Sequence, residues 1–394
     1  MAQITYIDET NISNKHVLVR ADFDVSLNPN YTIADDVRIK QNIPTLRYLL
    51  QNGNKLICVA KLGRPKMKEP ALSLRVVVEK LKEYLPEYTI TLIGDFLTAD
   101  KHIFENQKNN EILVLENIRF YPEEKKNDPE FAKKLAALAD VYVNDAFAMS
   151  HRVEASIVGI TSLLPSYGGL LLKKEVSTIM KAVREPQKPF VAIIGGSKID
   201  TKISIIGKLM EIADYVLIGG GLANTFLCAE GIDIGKSYCE HEKVAKARQL
   251  LFSATQKKTE VILPTDAVIG DKENSKEGGE VVLISKIPPG AAMLDIGPDT
   301  QATFGSIIAT AKTIVWNGPV GCFENPEFRR GTDFIYYAIA HNQNAVSIVG
   351  GGDTLSAISK KEYLDQITHI STGGGAMLEL IEKGTLPGLT ALEK

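Results

Sequence analysis

The strongest constraint on this chain is a repeating order: a short β-branched apolar run, a loop, then a helical pattern. Runs at 16–20, 55–60, 112–115 and 141–144 form one series, and runs at 190–194, 215–218, 313–316, 345–349 and 368–370 form another. Helical periodicity lies between them, for example over 37–51, 129–139, 300–311 and 328–340. The alternation predicts parallel sheets covered by helices on both faces. Ligands of such sheets sit beyond the carboxyl ends of the strands.

The loops after the two series differ in chemistry. The first series ends in cations, among them Arg20, Arg64, Arg119 and Arg152; the second ends in glycine clusters at 195–196, 219–221, 350–352 and 373–375. Between the two lies 164–169, followed by a helical pattern over 170–184 and then Glu185-Pro186-Gln187-Lys188-Pro189. The expected architecture is therefore α/β, with two doubly wound parallel-sheet (Rossmann-like) domains joined by a helical hinge. The domains are expected at 1–168 and 189–378, with 169–188 as the connector.

At 394 residues the chain is long enough for two cores. Its net charge of −3 favours neither nucleic acid nor an anionic membrane. An anion site must then be a local concentration of cations. Cys58, Cys228, Cys239 and Cys322 show no paired spacing, which disfavours a zinc site or a disulfide framework and points to a reducing cytoplasm. Asp8 and Glu9 stand where a signal peptide would need a basic start and an apolar core. No apolar run approaches the ~20 residues of a membrane span.

In the first half, Asp22 and Asp24 follow a strand, and Arg38 opens a helix. Each of Arg38, Lys61, Arg64, Arg119 and Arg152 alone reads as a solvated surface cation. Together, at successive strand-to-helix loops, they predict a basic site for a small, multiply anionic molecule. In the second half, Lys198 and Lys202 follow a glycine pair; a helix beginning near Lys198 would put both on one face of its first turn. The stretch Gly350-Gly351-Gly352-Asp353-Thr354 has two readings, a phosphate-binding turn or a plain helix cap. The same pattern recurs at 371–376. The 231–237 segment looks like a Walker A loop, but Glu230 stands where its first glycine belongs, so it reads as an ordinary loop. No dinucleotide fingerprint is present, which disfavours a dehydrogenase.

Taken in order, the motifs at 20–25, 62–65, 116–120, 144–152, 195–202, 219–227, 295–300, 316–324, 350–354, 371–375 and 386–388 resemble phosphoglycerate kinase over essentially the whole chain. The resemblance implies a monomer whose first domain binds 3-phosphoglycerate and whose second binds ATP or ADP with Mg2+. It also implies hinge closure and a tail, 379–394, that packs back on the first domain. On the acid side it implies Asp22, Asp24, Arg38, Lys61, Arg64, Arg119 and Arg152. On the nucleotide side it implies Lys198, Lys202, Gly219, Gly220, Leu294, Asn317, Pro319, Glu324, Gly351, Gly352, Asp353 and Thr354, with Asp353 at the metal. Arg38, Lys198, Gly352 and Gly375 are expected around the transferring group.

Four positions depart from the family pattern: Asp24 for asparagine, Ser26 for proline, Lys61 for histidine and Glu154 for histidine. Asp24 and Lys61 are expected to offset one another. Two alternatives follow from the altered acid side: a related kinase for another small carboxylic acid, or a catalytically weakened nucleotide-binding paralogue.

Overall fold

The structure, a computed structural model, describes residues 3–199, 202–270, 279–358 and 361–393. It falls into two compact units, Met1–Ser177 with Thr385–Lys394, and Thr178–Gly384.

The first unit is built on a six-stranded sheet of β1 (His16–Arg20), β4 (Lys55–Val59), β5 (Thr89–Ile93), β6 (Glu111–Leu115), β7 (Val141–Asn144) and β8 (Ser166–Gly168). All neighbours are parallel, in the order β5-β6-β4-β1-β7-β8. From β1 the chain adds β4, then edge strand β5, then β6 between them, and crosses to β7 and β8 on the other side, so the crevice lies where β4 and β7 flank β1. A short antiparallel hairpin, β2 (Ser26–Leu27) and β3 (Ile33–Asp35), precedes the helix Val37–Gln51. Val17, Val19, Leu56, Cys58, Val114 and Val143 form the sheet's part of the core, and Ile39, Leu46 and Leu49 of the helix complete it. Central strands buried on both faces read as continuous apolar runs, which explains why they were legible.

The second unit also has a six-stranded sheet, of β9 (Phe190–Ile194), β10 (Tyr215–Ile218), β11 (Glu260–Ile262), β15 (Thr313–Asn317), β16 (Val346–Gly350) and β17 (His369–Ser371). The order is β11-β10-β9-β15-β16-β17, again parallel throughout. A small antiparallel sheet, β13-β12-β14, is formed by β12 (Asp266–Gly270), β13 (Glu280–Leu283) and β14 (Ala292–Ile296).

Three features differ from the sequence reading. The antiparallel sheet and the hairpin were not anticipated; β13 is largely exposed and β2 is two residues long, so neither carries a strong apolar signal. The 166–168 stretch is an edge strand of the first sheet, and the helix Leu170–Arg184 follows it directly. The returning segment begins at Thr385, not at 379, because the helix Gly374–Lys383 buries Met377, Leu380 and Ile381 within the second unit. That segment is fastened by Gly388 N–H donating to the Ser150 carbonyl at 2.8 Å and by an antiparallel bridge between Ile4 and Glu393.

Candidate active site

At the carboxyl end of the first sheet, the expected anion-binding cations are for the most part already partnered. Arg38, in the first turn of Val37–Gln51, donates from Nη1 to both oxygens of buried Asp22, at 2.9 and 2.6 Å. Burial pulls the Arg38 pKa down, but Asp22, Asp24 and buried Glu175 outweigh it, and the net direction is up. Asn42, one turn after Arg38, locks the loop: its Oδ1 accepts from Asp22 N–H at 3.1 Å, and its Nδ2 donates to the Asp22 and Arg38 carbonyls. Lys61 pairs with Asp24 Oδ2, while Asp24 Oδ1 accepts from Gly63 N–H at 2.8 Å. Burial lowers the Lys61 pKa, and the Asp24 charge works against that.

Arg119 rides on the short turn Ile118–Phe120, held by Asn117, whose Oδ1 accepts from its N–H at 3.1 Å. Its Nη2 donates to Glu154 Oε1 at 2.6 Å. Arg64 and Arg152 are exposed. Arg20 stands apart: it is fully buried and donates to Ser156 Oγ at 2.9 Å, so it serves the core and not the rim. The sequence reading missed Asn42, Asn117 and Glu175. Asn42 carried a usable signal, lying i+4 from Arg38 on a helix; Glu175 did not, since a glutamate in an amphipathic helix reads as solvated.

In the second unit the carboxyl ends of the strands are stitched by backbone. Gly195 N–H donates to the Asn317 carbonyl at 2.9 Å, Gly196 N–H to Pro319 at 2.7 Å, and Gly220 N–H to Val320 at 3.0 Å. Asn317 Nδ2 donates to the Gly350 carbonyl at 2.7 Å. Gly219 caps the helix Gly220–Ala229. Cys322 N–H donates to the Leu294 carbonyl at 2.8 Å, which sets the 319–324 loop, with exposed Glu324, beside Leu294.

The two glycine turns pack back to back. Gly351 has φ +120°, and a Cβ on Gly374 would lie 2.3 Å from the Gly351 Cα, so neither position admits a side chain. At exposed Gly352 and Gly375, by contrast, an added Cβ meets nothing within 4 Å, so the backbone there faces open space. Thr354 is buried, and its hydroxyl accepts from Gly318 N–H at 2.7 Å and donates to the Gly350 carbonyl at 3.0 Å. Its side chain is therefore internal.

The helix after the lysines begins at Ile203, with Lys202 as its cap. The expectation that both lysines share a first helical turn is therefore corrected; Asp200 and Thr201 lie outside the described residues. Glu240 Oε1 accepts from Ile199 N–H at 2.8 Å, and the Ile199 carbonyl accepts from Lys202 N–H at 2.8 Å just before the helix. Lys198 is exposed. Lys202 Nζ donates to the Gly195 carbonyl at 2.5 Å, and burial pulls its pKa down to about 8, opposed by Asp353. Among the described residues no group of three or more His, Cys, Asp or Glu could cage a metal. A lone exposed carboxylate, Asp353, suits a magnesium ion that keeps its waters and arrives on a nucleotide's phosphates.

Comparison with known proteins supplies the rest. The family model for phosphoglycerate kinase matches residues 7–384. The chain belongs to the phosphoglycerate kinase family. It is 45% identical to the phosphoglycerate kinase of Dictyoglomus turgidum, covering 100% of both chains. It is 43% identical to the cytosolic phosphoglycerate kinase 3 of Arabidopsis thaliana, over 98% of both. Of solved structures, that of phosphoglycerate kinase from Coxiella burnetii superposes with a TM-score of 0.85 at 36% identity, covering 99% of each chain.

Proposed function

We propose that this chain catalyses reversible phosphoryl transfer between 1,3-bisphosphoglycerate and ADP, giving 3-phosphoglycerate and ATP, in glycolysis. The observation that carries the reading is the match to the family along residues 7–384. The residue chemistry supports it. The bond that breaks joins the transferring phosphorus to a carboxyl oxygen, and the bond that forms joins it to the β-phosphate of ADP. In the reverse direction the acceptor is a carboxylate, ionised at neutral pH, so no base is required. What the protein supplies is alignment of two mutually repelling anions and compensation of charge on the group in flight.

Asp22, Asp24, Arg38, Lys61, Arg64, Arg119 and Arg152 hold the acid. The 219–220 backbone, Leu294, Asn317, Pro319 and Glu324 hold the adenosine. Lys198, Lys202 and the N–H groups of 351–354 and 375 receive the phosphates, where fixed donors act without reorganising. Asp353 would hold magnesium, which would neutralise charge on the nucleotide phosphates. The helix Leu170–Arg184 crosses the boundary between the units and is the hinge of a bending motion that completes the site. The enzyme works as a monomer with small-molecule substrates. A cytoplasmic location is supported by the cytosolic Arabidopsis relative; no described helix is long and apolar enough to cross a membrane.

The test is ATP-dependent phosphorylation of 3-phosphoglycerate, read by coupled oxidation of a nicotinamide reporter, with glycerate and other small acids as controls. Turnover on 3-phosphoglycerate that exceeds every control is expected. Preference for another acid would replace the substrate assignment.

A further inference from the structure

We propose that Glu154 sets the specificity of the acid site by acting as a built-in counter-anion on Arg119. The inference rests on Arg119 being an acid ligand, as read above. The two side chains are nearly closed to solvent, 10% exposed for Arg119 and 6% for Glu154, and the bond between them is short at 2.6 Å. Like Asp24 on Lys61, Glu154 takes up a cation of the basic set, here an arginine.

Glu154 is also the immobile partner. Its carbonyl accepts from Ile157 and Val158 N–H, at 3.0 and 2.8 Å. Two residues on, Ser156 donates from N and Oγ to the Glu124 carboxylate at 2.9 and 2.6 Å, and accepts from Arg20 Nε at Oγ. Tyr142 OH donates to the Ser156 carbonyl at 2.7 Å. Arg119 stands on a three-residue turn with a long, jointed side chain, so it is the group that yields.

An anion reaching Arg119 has two options. It can share the guanidinium with a fixed carboxylate, close enough to be repelled. Or it can draw Arg119 away and leave Glu154 buried and unpaired, which is costly. Glu154 Oε2 is already buried with no hydrogen-bond partner among the described residues. The repulsion grows with the ligand's charge. It therefore weighs more on a dianionic phosphate than on a hydroxyl, and narrows the preference for a phosphorylated three-carbon acid over its unphosphorylated analogue.

The test is calorimetric titration of the full chain with 3-phosphoglycerate and with glycerate, alongside steady-state kinetics. Glu154→Gln, which keeps shape and removes charge, is expected to tighten 3-phosphoglycerate about tenfold in Kd and KM, leaving glycerate binding and the KM for ATP unmoved. Glu154→His is the second neutral variant and should show the same gain; melting temperatures report whether each is folded. Unchanged or weaker 3-phosphoglycerate binding by the folded variants would overturn the proposal and make Glu154 a prop for Arg119. Arg119→Ala separates the two levels. If it leaves 3-phosphoglycerate binding intact, the assignment of Arg119 fails and the proposal with it. If it abolishes binding while the Glu154 variants gain nothing, only the proposal fails.

Discussion

The two units are each built on a six-stranded parallel sheet, with different strand orders, and their rims are built in opposite ways. At the rim of the first sheet the work is given to side chains, and three of the five expected cations are held by carboxylates: Arg38 by Asp22, Lys61 by Asp24 and Arg119 by Glu154. At the rim of the second it is given largely to backbone, through glycines packed closely enough that two turns touch at Gly351 and Gly374. A side-chain site is adjustable, since ion pairs can exchange partners as a ligand arrives. A backbone site cannot adjust, and its donors stay aimed at one position. The first arrangement suits choosing a substrate; the second suits holding a group whose charge changes during transfer.

The sharpest break in this contrast is a methyl group on the backbone side. Gly352→Ala places a Cβ in open space and is expected to cut kcat a hundredfold or more while leaving the melting temperature within a degree or two. Gly374→Ala drives a Cβ against Gly351 and is expected to lose both activity and several kcal/mol of stability. Thermal melts beside kinetics separate the two; equal destabilisation would mean that Gly352 is structural.

Of intermediate size is the Lys61–Asp24 pair. Lys61→Met and Asp24→Asn each strand a charge in a mostly enclosed place, and each is expected to raise the KM for 3-phosphoglycerate and lower stability. The double variant should recover ~1–3 kcal/mol relative to the sum of the singles. Additive behaviour in urea titrations would show that the contact is incidental and that the side chains act separately.

The smallest effect lies where the units are alike. Each has a buried aspartate that accepts backbone N–H groups: Asp145 accepts from Leu171 and Leu172 N–H, and Asp295 accepts from Ile296 and Gly331 N–H. Burial pushes both up to about 7. Between the unfolded value near ~4 and about 7 the folded protein therefore holds protons that the unfolded chain has released. Stability contributed by these groups declines as pH rises across that window, at up to ~1.4 kcal/mol per pH unit for each proton. Asp145→Asn and Asp295→Asn should each flatten that slope in denaturant titrations; a slope unchanged by both would assign it elsewhere.

Much of this organisation was legible in the residues. Strands buried on both faces announce themselves, and β1, β7, β9 and β10 begin and end where the apolar runs do. Half-exposed strands do not: β5 alternates threonine with isoleucine and leucine, and β13 leaves Val281 and Leu283 in solvent. Charges at the rims could be placed, but not their partners. Spacing says nothing about contacts such as Arg119 with Glu154, 35 residues apart, because the sheet and not the local chain brings them together. The spacing of Lys198 and Lys202 fits a helix from near Lys198, but the helix begins at Ile203; Ile199 N–H is taken by Glu240, 41 residues on, a contact that spacing does not reveal.

The segment that closes on Ser150 has a consequence for the order of assembly. The first unit is written in two pieces of chain with the second unit between them. During synthesis the second unit, being contiguous, is fully emerged before the 385–394 piece that seats Leu386, Leu389 and Leu392 in the first. The N-terminal sheet is made first, yet its unit is finished last. Joining Ile4 to Glu393 and opening the chain between Gly384 and Thr385 would make the first unit contiguous and complete it before the second.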